Sequence, residues 1–127
     1  MKRINFVIFL VSIGVFLFPC QAYADDVLWT DLVGMSASGN TITKTASTDW
    51  GNGGAASVQV LAGDGYVEWE AVETNTTRIC GLSTNNVDAH RDTVEFGAMA
   101  HETGVVNVYE NGTLKGKIGT YQAGDKF

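Results

Sequence analysis

The feature that most constrains this chain is a hydrophobic pattern of period two, cut into short runs by glycine-centred turns. In Tyr66 to Val72, the side chains of Val67, Trp69 and Ala71 fall on one side, and those of Tyr66, Glu68 and Glu70 on the other. Such alternation places every second residue on one face of an extended backbone. Comparable runs occupy Val27–Leu32, Met35–Ser38, Thr41–Lys44, Ala56–Leu61, Arg78–Leu82, Thr93–Met99, Val105–Glu110 and Thr113–Ile118. Gly39-Asn40 and Asn111-Gly112 separate two pairs of these runs and predict hairpins, because both pairs tolerate the positive φ of tight turns. After residue 24, no window carries apolar residues at helical spacing over three turns. The single proline, Pro19, interrupts none of the runs. The spacing predicts an all-β chain of about eight or nine strands, folded as an antiparallel β-sandwich or jelly roll.

Residues 1–24 read as an export signal. Lys2 and Arg3 precede the apolar run Ile4–Phe18, Pro19 breaks it, and Ala22-Tyr23-Ala24 offers small residues before a cleavage site at Asp25. The apolar run is shorter than the roughly 20 residues of a membrane span. Residues 25–127 are therefore expected as one secreted, extracellular domain with no membrane span. The alternative is a lipid anchor at Cys20, which Pro19 disfavours because lipoprotein signals place a small residue before the cysteine.

Loss of Lys2 and Arg3 takes the formal charge from −6 to −8. The remaining cations, Lys44, Arg78, Arg91, Lys115, Lys117 and Lys126, form no run, which argues against nucleic acid or anionic lipid as a partner. Cys80 is the one cysteine after the signal, so no internal disulfide holds the domain. The chain ends in Gly124-Asp125-Lys126-Phe127, a turn followed by the first step of another strand. That ending predicts a domain cut short, with an unpaired sheet edge open to self-association.

The stretch from Val27 to Phe127 resembles bacterial secreted domains related to the concanavalin A-like lectin and glucanase sandwich. The residues that carry the resemblance are Trp29-Thr30-Asp31-Leu32-Val33-Gly34, Leu61 to Trp69, Tyr109-Glu110-Asn111-Gly112 and Gly119 to Phe127. It implies a jelly roll used for surface attachment or glycan binding, with no cofactor, and it transfers no individual binding residue.

Some glucanases of that fold carry Glu-x-Asp-x-x-Glu on one strand, as nucleophile, helper and acid. Glu68, Glu70 and Glu73 match that spacing with Glu in the central place, which is the case for a hydrolase acting on β-glucan. The competing reading is a solvated strand face opposite an inward Trp69. Glycan binding instead calls for an exposed aromatic ring with amides and carboxylates on neighbouring loops. Trp50 and Asn52, in Asp49-Trp50-Gly51-Asn52, supply one such set, and Asn85, Asn86 and Asp88 a second polar loop. Their plainer readings are a core tryptophan and turn-forming amides. His90 with Asp88 and Asp92 lacks the ligand spacing of a zinc site, so no metal is expected. A non-catalytic, lectin-like binding or surface module is the favoured reading, with the hydrolase and an inactive truncated fragment as alternatives.

Overall fold

The computed structural model describes residues 25–127; the expected export signal and the alternative anchor at Cys20 lie outside the described residues. The chain is all-β, and every strand pairing is antiparallel. In chain order the strands are β1 (Trp29–Val33), β2 (Met35–Ser38), β3 (Thr41–Lys44), β4 (Gly54–Ser57), β5 (Glu70–Ala71), β6 (Arg78–Leu82), β7 (Phe96–His101), β8 (Val105–Glu110), β9 (Thr113–Thr120) and β10 (Asp125–Lys126). A 3-10 turn, Arg91–Thr93, precedes β7. Strands β6 to β9 form a four-stranded meander, while β1 pairs with β4, β2 with β3 and β5 with β10.

Both sequence-marked hairpins form. Asn111 and Gly112 adopt φ of 48° and 71°, the left-handed pair that matches strand twist between β8 and β9. Gly39, at φ 56°, turns β2 into β3. Two departures from regular pairing reshape the ladders. The register of β9 against β8 skips Lys115 and Ile118, so each is bulged out. Between Thr30 and Val33, β1 carries one residue more than β4 opposes, and Asp31 in that bulge takes φ 50°.

The register assigns the two faces of the meander. Cys80, Ala98 and Val108 lie opposite one another across β6, β7 and β8, as do Leu82, Phe96 and Glu110, and Arg78, Ala100 and Val106. This face carries the core. Ala100 and Val106 are buried with Ala71 and Tyr121, and Trp69 and Phe127 pack against them. Here the β5–β10 ribbon lies across one end of the meander. It is held by reciprocal backbone bonds between Trp69 and Phe127, each 3.0 Å, and the two rings meet at 5.1 Å. Tyr121 meets Phe127 edge-on and donates its hydroxyl to the His101 carbonyl at 3.0 Å. On the opposite face Met99 is 1% exposed. Ile79 and Val94 reach over Gly97 there, so the segment leading into β7 covers that side.

Four expected strands keep their bounds: β2, β3, β6 and β8. Two are corrected. The run Ala56–Leu61 pairs only as Gly54–Ser57, and Val60 beyond it is 86% exposed. Alternation there has no opposing layer to bury it. The run Thr93–Met99 begins as the 3-10 turn and becomes a strand only at Phe96, because Asp88 and His90 draw the chain into a local turn. Tyr66–Val72 likewise pairs over Glu70–Ala71 alone, although Trp69 also bonds to Phe127.

With so few fully buried side chains, individual core positions carry a large share of stability. Met99→Ala is expected to cost about 2–5 kcal/mol in urea denaturation, and Val60→Ser no more than about 0.5 kcal/mol. Gly81→Ala should be as damaging as Met99→Ala, because a Cβ at Gly81 would collide with the Phe96 carbonyl oxygen.

Candidate functional site

The two loops that the sequence singles out lie against each other. Trp50 follows β3 in the turn that leads to β4. It is 44% exposed, so it is not a core tryptophan. The Arg91 guanidinium lies over its indole, 5.5 Å from the ring centre, and over the Tyr109 ring at 5.7 Å. Arg91 therefore clamps the Trp50 loop to strand β8 through two cation–π contacts. Arg91 also pairs with Asp92 at 3.4 Å. Backbone proximity fixes the same seam: a Cβ on Gly54 would sit 2.9 Å from the Ala89 side chain, and one on Gly51 would sit 3.4 Å from the His90 ring.

The remaining loop residues use their bonds to shape the loops and tie them to β1. Asn86 donates to the Asp31 carboxylate at 2.8 Å, which the bulge in β1 turns toward it. Asn85 donates to Thr84 Oγ1 at 3.3 Å. Asp88 Oδ1 accepts from the His90 N–H at 2.7 Å and from Thr93 Oγ1 at 3.1 Å, so Asp88 builds the turn before β7. Asn52 donates to Ser47 Oγ at 2.8 Å, and its side-chain oxygen is enclosed without a partner among the described residues. His90 Nδ1 lies 3.3 Å from Asp92 Oδ2. Among the described residues, no three of the His, Cys, Asp and Glu side chains converge as a metal site would need. Trp50, Asn86 and Asp88 thus sit along one seam, with Asp31, Arg91 and Tyr109 added to it. Sequence reasoning had no signal for those last three, because their partners are far away along the chain.

The glutamates fall elsewhere. Glu68 and Glu70 are exposed, on the side of the β5 segment opposite Trp69 and Ala71. Glu68 accepts from Lys126 at 3.0 Å, and this contact raises the Lys126 pKa above its ordinary value. Glu73 lies past the strand and pairs with Arg78 at 3.0 Å, with Thr76 donating to the same carboxylate oxygen. Each terminal carboxylate of the motif is thus tied to its own cation.

A second feature of the surface is an apolar groove of about 540 Å³ on the core face of the meander. It lies beside the β5–β10 ribbon, between Tyr66, Val67, Trp69 and Phe127 on one side and Cys80, Leu82, Phe96, Ala98 and Val108 on the other. Burial pushes the Cys80 thiol pKa above the ordinary 9.0, only partly offset by a hydrogen bond from the Gly81 backbone.

The raised thiol pKa means less thiolate in the folded chain than in the unfolded chain at any pH below the shifted value. Alkylation of Cys80 by iodoacetamide at pH 8 should therefore be slower in the folded protein than in urea by about tenfold or more. Equal rates would show that the thiol is not desolvated. Comparison with protein-family models, with curated proteins and with solved structures finds no match for this chain.

Proposed function

We propose that this protein is a non-catalytic, extracellular binding module that recognises a carbohydrate at the Trp50 seam. The observation that carries the reading is the half-exposed Trp50 ring, held by Arg91 between two polar loops. An indole fixed in this way presents an apolar face to the C–H face of a sugar at little cost in side-chain entropy. Asn85 and Asn86 supply amides and Asp31 a carboxylate along the same seam. Those groups can bond sugar hydroxyls from loops held by the sheet beneath. Asp88 and Asn52 contribute by fixing the loop backbones. The all-β antiparallel architecture is compatible with a β-sandwich, and the expected export fits a glycan ligand outside the cell.

Hydrolysis has less support. Retaining glycosidases hold two carboxyl groups about 5–5.5 Å apart across a substrate cleft. Here Glu68 and Glu73 serve separate ion pairs on exposed surface, and neither lines the apolar groove.

A glycan array probed with residues 25–127 is the test. The folded domain should retain a defined set of glycans, and Trp50→Ala should weaken that binding by about tenfold or more, equal to 1.4 kcal/mol. Arg91→Ala should weaken it less while broadening the Trp50 emission. Absence of any ligand, or undiminished binding by Trp50→Ala, would count against a carbohydrate site here. Turnover of β-glucan lost in Glu68→Gln would favour the hydrolase instead.

A further inference from the structure

The apolar groove on the core face shares only Tyr109 with the Trp50 seam and points to a second ligand. We propose that it binds the single hydrocarbon chain of an amphiphile, with the polar head at Lys115. Three observations lead there.

The first is scale. A groove of about 540 Å³ falls within the range of roughly 300–1,000 Å³ typical of small-molecule sites. It is one narrow strip beside the ribbon, whereas a stable protein partner needs about 800 Å² of surface on each side.

The second is hydrogen bonding. The floor is Cys80, Ala98 and Val108, on three adjacent strands whose backbone groups lie in the plane of the sheet and point sideways, not up from the floor. At the ribbon, Trp69 and Phe127 exchange their N–H and carbonyl groups with each other. An extended peptide laid along this floor would bury amides against apolar side chains with no partners, at a cost of about 1–3 kcal/mol for each. A hydrocarbon chain has no such groups to satisfy. It would cover Phe96 and Leu82, now 56% and 40% exposed.

The third is the polar end. Lys115 is one of the two residues bulged out of β9, and it borders the groove beside Glu110. Its ammonium spends one bond on Glu110 at 2.9 Å, and an ammonium has three donors in all. A carboxylate head can therefore be held there while the chain lies on the floor.

Calorimetric titration of the folded domain with sodium decanoate, below its micelle concentration, tests this, with 1-decanol as the uncharged probe. Saturable one-to-one binding of both is expected. Ala98→Phe, which fills the middle of the floor, should weaken both by about tenfold or more. Lys115→Gln should weaken decanoate about threefold or more and leave decanol unchanged. Should Ala98→Phe fail to fold, Leu82→Arg at the groove end replaces it, with the same loss expected. Unsaturable heats would overturn the proposal. So would undiminished binding by the filled groove, or binding accompanied by loss of the near-ultraviolet circular dichroism. Displacement of decanoate by an apolar octapeptide at equal concentration would reassign the groove to a peptide strand and overturn it too. Trp50→Ala should leave decanoate binding intact, which separates failure here from failure of the carbohydrate site.

Discussion

The packing of the β5–β10 ribbon on Ala100 and Val106 is the contact on which the rest depends. Among the described residues Cys80 is the only cysteine and it is free, so residues 25–127 are held together by what they bury. The residues that are fully enclosed on this face come from widely separated parts of the chain: Ala71, Ala100, Val106 and Tyr121. Two small alanines let the ribbon approach the sheet closely, and Trp69 and Phe127 supply the apolar bulk above them. Because the ribbon has only two paired residues on each strand, its backbone bonds alone could not hold it. The aromatic contacts and the Tyr121 hydroxyl keep it in place.

That arrangement also explains why one part of the same face is core and the next part is groove. The ribbon reaches the Ala100–Val106 pair but not the Cys80–Ala98–Val108 row two residues along. The chemistry of the row is the same on both sides of that line; only the cover differs. Cys80 records the boundary, being desolvated enough to resist ionisation while still bordering open space.

Much of the secondary structure was legible because local signals and tertiary pairing agree. Met35–Ser38 and Thr41–Lys44 flank a turn glycine, and Val105–Glu110 runs into Asn111-Gly112, so turn chemistry and alternation fix the same register. Where they disagree, tertiary context wins. Val58 and Val60 alternate as well as any strand, yet beyond one backbone bond from Val58 to Leu28 the run stays exposed. The pairing of β5 with β10 joins residues more than fifty positions apart, and no periodicity announces it. At the candidate site, Trp50 and the Asn85–Asp88 loop were visible as residue types suited to sugars. That they share a seam was not, because it rests on Arg91 bridging Trp50 to Tyr109 and on a left-handed Asp31 meeting Asn86. Both are consequences of how distant strands and loops come together, and neither leaves a trace in spacing.

The bulges in β9 have an effect on the outer boundary of the meander. Skipping Lys115 and Ile118 divides that strand into stretches of only two residues in register: Thr113–Leu114, Gly116–Lys117 and Gly119–Thr120. A foreign strand zipping along such a border loses step at each break. The opposite border, β6, runs unbroken from Arg78 to Leu82. The two flanks of the meander therefore differ: one is interrupted by its own irregularity, and the other presents an unbroken edge from Arg78 to Leu82.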